Sequence, residues 1–138
     1  MEERRKQTPE TLRLRTVMPM LTVNDIQGSI TWYRDVLGFT PAEEYQQEGK
    51  VVGARLRAGV VEILLTQDDF AKGRDRKKGA GVRLYWTTAQ NIDQLAATIR
   101  ERGGQLTQEL TDQPWGARDF AVVDPDGFNI SISTGLQS

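Results

Sequence analysis

The chain has 138 residues with 18 Lys or Arg against 19 Asp or Glu, a net charge of -1, and neither cysteine nor histidine. That length suits one compact domain or two half-size units sharing an interface, and the charge balance gives no electrostatic grip on nucleic acid or an anionic membrane. Without thiolate or imidazole, disulfide frameworks, serine-histidine and cysteine nucleophiles, zinc hydrolase centres and most iron(II) oxygenase centres cannot be assembled.

Residues 1–14 are polar, contain Pro9 and show no periodicity, so they read as a flexible N-terminal arm. The arm is too charged for a signal peptide and no apolar run approaches the length of a membrane span, which makes the cytoplasm the expected location. Thr16 to Val23 reads as an apolar strand ending at Asn24-Asp25, either of which can cap a helix by accepting a bond from a free backbone N–H. Ile26, Ile30, Tyr33 and Leu37 recur at spacings of three to four, predicting a helix with one apolar stripe that stops at Gly38. Phe39 to Tyr45, Lys50 to Arg57 and Val60 to Thr66 then read as a meander, broken at Gln46-Gln47-Glu48-Gly49 and at Ala58-Gly59. Asp68 to Ala80 is rich in charge and glycine, and its basic run from Lys72 to Lys78, interrupted by Asp75, reads as a solvated linker.

Val82 to Thr88 starts a second pass through the same order. Ile92, Leu95 and Ile99 make the helical stripe, Gly103 or Gly104 ends it, and Gln105 to Leu110, Ala117 to Val123 and Asn129 to Ser133 complete another meander. The offset between copies is about 66 residues. The predicted fold is therefore α+β, with two βαβββ units at 15–67 and 81–138, joined by the linker 68–80 and forming curved mixed sheets around a groove. A unit of about 55 to 60 residues buries too little surface to stand alone, so pairing is expected. A homodimer, in which a unit of one chain joins its sister from another, fits the long linker.

Val23-Asn24-Asp25, then Ser29, Trp32-Tyr33 and Val36-Leu37-Gly38-Phe39, and finally the turn Asp124-Pro125-Asp126-Gly127, occur in an order and spacing that resemble the vicinal oxygen chelate superfamily. That superfamily includes glyoxalase I, extradiol dioxygenases and antibiotic-resistance proteins, and the resemblance runs from Val17 to Ser133. Val17-Met18-Pro19-Met20-Leu21-Thr22, and Gln113-Pro114-Trp115-Gly116 followed by Arg118-Asp119-Phe120-Ala121, are similar to segments of the bleomycin-resistance proteins. This resemblance implies a cytosolic dimer that sequesters a drug in clefts between subunits and does not modify it.

Enzymes of the superfamily generally hold a divalent metal on the sheet, and carrying those positions over gives Met18, Glu62, Arg83 and Ser131. Only Glu62 is a credible ligand, because a thioether suits hard cations poorly and a guanidinium puts positive charge where the ion should sit. Neither metal nor cofactor is expected. Strand alternation turns Val82, Leu84 and Trp86 under a helix and Arg83, Tyr85 and Thr87 toward the groove. Glu62, from across the sheet, is expected either to neutralise Arg83 or to touch a ligand directly. Trp115 lies between proline and glycine in a turn with little to bury it, so it is expected to stack on a ligand, whereas Trp32 sits on a periodic face and is expected in the core. Met18 and Met20 either line the groove floor or join the core. Asp124 and Asp126, beside Pro125 and Gly127, read as turn formers.

The expected ligand-binding set is thus Trp115, Tyr85, Arg83, Glu62, Met18 and Ser131, with no catalytic residue assigned. The function this favours is metal-free sequestration of an aromatic or heteroaromatic small molecule, with antibiotics among the candidates. The alternative is a metal-independent enzyme in which Glu62 or Tyr85 moves a proton and Arg83 holds an anionic substrate. An arginine-paired glutamate titrates well below neutral pH and makes a weak general base there, which favours binding over catalysis. A dimeric scaffold with no small ligand is a third reading.

Overall fold

The computed structural model describes residues 11–135; the expected arm falls largely outside them, and Leu12 and Leu14 at its end are exposed. The first unit comprises β1 (Met20–Val23), α1 (Ile26–Trp32), β2 (Thr40–Gln47), β3 (Lys50–Ala58) and β4 (Val61–Gln67). The second comprises β5 (Arg83–Thr87), α2 (Ile92–Glu101), β6 (Leu106–Asp112), β7 (Arg118–Val123) and β8 (Asn129–Ser133). Each unit forms a four-stranded mixed sheet, in the orders β1-β4-β3-β2 and β5-β8-β7-β6. In both, the first strand lies parallel beside the last while the remaining pairs are antiparallel. This is the α+β architecture of paired βαβββ units that the sequence repeat predicts. Among the described residues no helix is long and apolar enough to cross a membrane.

Local chemistry sets the helix ends. The Asp25 carboxylate accepts from the Gly28 N–H at 3.2 Å, and the Asn91 side chain accepts from the Gln94 N–H at 3.0 Å, so each helix starts at a side-chain cap. After Trp32 the backbone widens into one π-helical turn, Tyr33–Leu37, in which the Tyr33 carbonyl accepts from the N–H groups of both Gly38 and Phe39. Gly38 closes that turn at φ 97°, a left-handed conformation that a side chain would disfavour.

Alternate strand residues turn inward to one apolar core shared by both units. Leu21, Val23, Leu56, Ile63 and Leu65 meet Ile26, Ile30 and Tyr33 of the first helical segment, and Phe120, Val122 and Ile130 meet Ile92 and Ile99 in the same cluster. An aromatic chain passes between the units: the Tyr33 ring stands edge-on to Phe39 at 5.6 Å, and Phe39 lies 5.5 Å from Trp86.

Several sequence expectations change in detail. The first strand begins at Met20 rather than Thr16, because Pro19 has no N–H to donate and regular pairing starts after it. Pro19 still contributes its carbonyl, which accepts from Leu64 N–H at 2.9 Å. Strand β2 runs through Gln47, leaving only Glu48-Gly49, both at positive φ, as the hairpin turn. The Lys72 to Lys78 run is not simply solvated. The Lys78 side chain is only 6% exposed, with its ammonium 2.7 Å from the Asp68 carboxylate and 2.6 Å from Asn24 Oδ1. Asp68 is buried just beyond β4 and also accepts from Arg76 and from the Phe70 N–H, so the linker folds back to satisfy it.

The Asp124 turn also does more than reverse the chain. The Asp124 carboxylate accepts from the N–H groups of Asp126 and Phe128 at 2.9 and 2.8 Å, and from the Tyr33 hydroxyl of the other unit at 2.7 Å. Asp126 accepts from the Asn24 N–H at 2.8 Å and from the Ser29 hydroxyl at 3.3 Å. Burial raises the Asp124 carboxyl above its ordinary range, while the Tyr33 and backbone hydrogen bonds pull against that rise. Replacing Tyr33 by Phe removes a donor from a buried acceptor, and urea denaturation should show a loss of about 1 to 3 kcal/mol.

Asp68 titrates in the opposite sense: the hydrogen bond from Lys78, then that from the Phe70 N–H, hold its carboxyl well below the usual range. A lowered folded-state value means stability that is present above the unfolded carboxylate value near 4 and is lost as pH falls toward the folded value. Asp68→Asn should therefore lower the melting temperature most at neutral pH. The gap from the parent should close as thermal melts are taken below about pH 4.

Candidate functional site

The sheet faces turned away from the helices carry the candidate residues. On the second sheet, Tyr85, Ser131, Ala121 and Gln108 stand in one row across the strands, with Thr87, Ser133, Asp119 and Thr111 in the next. Arg83 Nη1 donates to Ser131 Oγ at 3.0 Å, and the Tyr85 hydroxyl bonds Ser133 Oγ at 2.9 Å. The two serines are buried, whereas Tyr85 is 48% exposed and Arg83 is exposed. Buried hydroxyls thus fix two long side chains whose outer parts remain open to solvent.

Trp115 lies in the connection between β6 and β7. The loop closes through the Gln113 N–H to the Ala117 carbonyl at 2.7 Å and the Gly116 N–H to the Gln113 carbonyl at 3.1 Å. Beneath it, the buried Asp119 carboxylate accepts from Gln108 Nε2 at 2.7 Å and Gln113 Nε2 at 2.9 Å. Asp119 therefore anchors the residue from which the proline-tryptophan-glycine segment departs. Trp115 itself is 53% exposed. Sequence reasoning missed the support supplied by Asp119, Gln108 and Gln113. The available signal was an aspartate alternating with Ala121 on the open face of a largely apolar strand.

The first sheet presents a different surface. Glu62 accepts from Arg55 Nη1 and Arg57 Nε, both at 3.0 Å, and Arg55 also donates to Glu43 at 3.1 Å. The expected pairing of Glu62 with Arg83 is not made, because the two lie on different sheets and Glu62 already has two cationic neighbours on β3. Hydrogen bonding to Arg57, reinforced by the Arg55 charge, holds the Glu62 carboxyl below its usual range. Met20 stands in register with Leu64, is 65% exposed and does not join the core; Met18 is also solvent-exposed. Tyr45 leans across β3 at Gly53, where a Cβ would come within 3.3 Å of its ring.

Of the six predicted residues, Arg83, Tyr85, Ser131 and Trp115 thus belong to the second sheet and its loop, Glu62 belongs to the first sheet, and Met18 lies just before β1. The donor set at Met18, Glu62, Arg83 and Ser131 does not fit a divalent cation: its one carboxylate is engaged by two guanidinium groups, and a third guanidinium bonds the serine. Among the described residues no group of three or more acidic, histidine or cysteine side chains is arranged to hold a metal ion.

Two βαβββ units, with their helices packed inward and their outer sheet faces carrying polar and aromatic side chains, define a fold shared by enzymes and binding proteins. A family model described as the Glyoxalase/Bleomycin resistance protein/Dioxygenase superfamily matches residues 14–132, and the chain belongs to that superfamily. It is 32% identical to a bleomycin resistance protein of Geobacillus stearothermophilus, over 88% of this chain and 97% of that protein. A lactoylglutathione lyase of Salmonella typhimurium is 29% identical over 86% of this chain and 91% of its own. Among solved structures, TnmS3, an antibiotic binding protein from Streptomyces sp. CB03234, has the same fold with a TM-score of 0.67 at 21% identity, covering 88% of this chain and 96% of that one.

The environments of two tryptophans differ enough to separate them by mutation. Trp32 is partly buried, packs on the core and stands edge-on to Tyr33 at 4.9 Å. Trp32→Ala should therefore approach the ~3 to 5 kcal/mol loss of a buried aromatic truncation. Trp115→Ala should stay within about 0.5 kcal/mol of the parent in the same denaturation experiment, as surface substitutions usually do.

Proposed function

We propose that this protein binds and sequesters an aromatic or heteroaromatic small molecule, an antibiotic among the candidates, without converting it. The observation that carries the reading is the half-exposed aromatic and apolar set on the open sheet faces: Tyr85 held by Ser133, Trp115 held on the Asp119-anchored loop, and Met20 on the other sheet. Flat faces and exclusion of water suffice for stacking, so the function needs no catalytic group. Similarity to the bleomycin resistance protein supports the same conclusion.

In this reading the groove is completed in a homodimer. Strands β1 and β5 are each paired on one side only, and their open faces carry Met20 and Tyr85. Bringing β1 of one copy beside β5 of another would cover both edges and set Met18 and Glu62 opposite Arg83, Tyr85 and Ser131. Trp115 would then close one side of the ligand, and Arg83 would favour a ligand carrying an anionic or electron-rich group near the ring.

The alternative is a metal-independent enzyme acting on a small anionic substrate, which the similarity to lactoylglutathione lyase favours. Glu62 is the obvious proton carrier, but with its carboxyl held low by Arg57 and Arg55 it is a poor base at neutral pH. Binding remains the better account.

A thermal-shift screen over antibiotics and aromatic metabolites, run with light scattering, tests this function. A true ligand at 100 times its dissociation constant should stabilise the native protein by about 2.7 kcal/mol, with mass recovered unchanged and a dimer in solution. The same ligand should bind Trp115→Ala more weakly, by the roughly 0.5 to 1.5 kcal/mol of a lost aromatic contact. A monomer at micromolar concentration, or chemical turnover of the ligand, would sink the reading.

A further inference from the structure

A cleft of about 890 Å³ opens where the two units meet, lined along one side by α2 residues Gln94, Leu95 and Thr98. Phe39 and Val61 of the first unit and Trp86, Leu95 and Ile132 of the second form its apolar walls. Its volume falls within the roughly 300 to 1,000 Å³ that holds drug-sized ligands. At its mouth Val60, in the turn joining β3 to β4, is 99% exposed.

The charge of the cleft is one-sided. Arg102 is the one charged residue lining it, and the remaining polar lining consists of neutral threonine, glutamine and asparagine side chains. The Arg102 side chain is exposed, and among the described residues no ion pair or hydrogen bond engages its guanidinium, so it is free to meet a ligand at the edge of the cleft. A lone guanidinium beside an apolar cavity is complemented by an anion that carries its own apolar body.

We propose that this cleft is a second binding site, for a small amphipathic anion whose apolar body lies against Phe39, Trp86 and Leu95 and whose carboxylate or sulfonate meets Arg102. The site is distinct from the sheet-face groove and does not depend on that groove's ligand. Its size and single charge suit a compact aromatic or medium-chain acid better than a peptide, which would bring several polar backbone groups into an apolar wall.

The test uses 8-anilinonaphthalene-1-sulfonate as the probe, titrated into the intact protein and followed by its own fluorescence and by energy transfer from tryptophan. Saturable binding is expected, weakened at least fivefold by Arg102→Gln and by Val60→Glu. The uncharged N-phenyl-1-naphthylamine should bind the parent and Arg102→Gln equally. Both substituted side chains are exposed, so these variants should fold, and circular dichroism checks that they do. Loss of probe affinity in Arg83→Gln, with Arg102→Gln unaffected, would place the anion in the sheet-face groove and overturn the proposal. Absence of saturable binding would overturn it too. So would light scattering in which the probe splits a dimer, since the occupant would then be a second copy of the chain.

Discussion

The Asp124 carboxylate is the point on which the arrangement of the two units turns. Hydrophobic burial joins them in one core, but burial is non-directional and tolerates sliding. The Tyr33 hydroxyl at 2.7 Å, the two backbone N–H groups of its own turn and the neighbouring Asp126 bonds to Asn24 and Ser29 supply direction. Together they fix the corner between β1 and α1 against the turn that feeds β8. Because Tyr33 also begins the π-helical turn and stacks edge-on with Phe39, the same residue couples this polar tie to the aromatic path toward Trp86. Phe39 and Trp86, at the far end of that path, line the cleft between the units.

Much of this was legible in the sequence. The period-2 and period-3.6 patterns located both helices and all the strands within a few residues, since each element faces a shared core on one side only. The glycine at position 38 and the turn at Asp124-Pro125-Asp126-Gly127 were likewise readable from local chemistry. Long-range polar partnerships were not. That Lys78 is buried against Asp68, that Asp124 reaches Tyr33, and that Glu62 takes Arg55 and Arg57 rather than Arg83 all depend on which strands become neighbours. Pairing order is a property of topology, and alternation within a strand says which face a side chain takes but not what stands beside it.

The candidate site shows the same division. Alternation correctly put Arg83 and Tyr85 on one face, and the isolation of Trp115 between proline and glycine correctly implied exposure. The supports behind them were invisible, because Ser131, Ser133 and Asp119 act through hydroxyl and carboxylate bonds across strands. For the proposed sequestration those supports would matter, because an aromatic ring already held in place loses less conformational freedom when a ligand arrives.

The arginine-clamped carboxylates of the first sheet have a wider consequence. Glu43 and Glu62 are both driven below the ordinary carboxylate range by their guanidinium neighbours, Arg55 for the first and Arg57 foremost for the second. The chain has no histidine to change charge between pH 5 and 8. That open face therefore keeps a constant electrostatic character across the range of acidity a cell experiences. The field this face presents to an approaching molecule would then hardly change between pH 5 and 8, so any acidity dependence of such an encounter would originate in the ionisation of the other molecule.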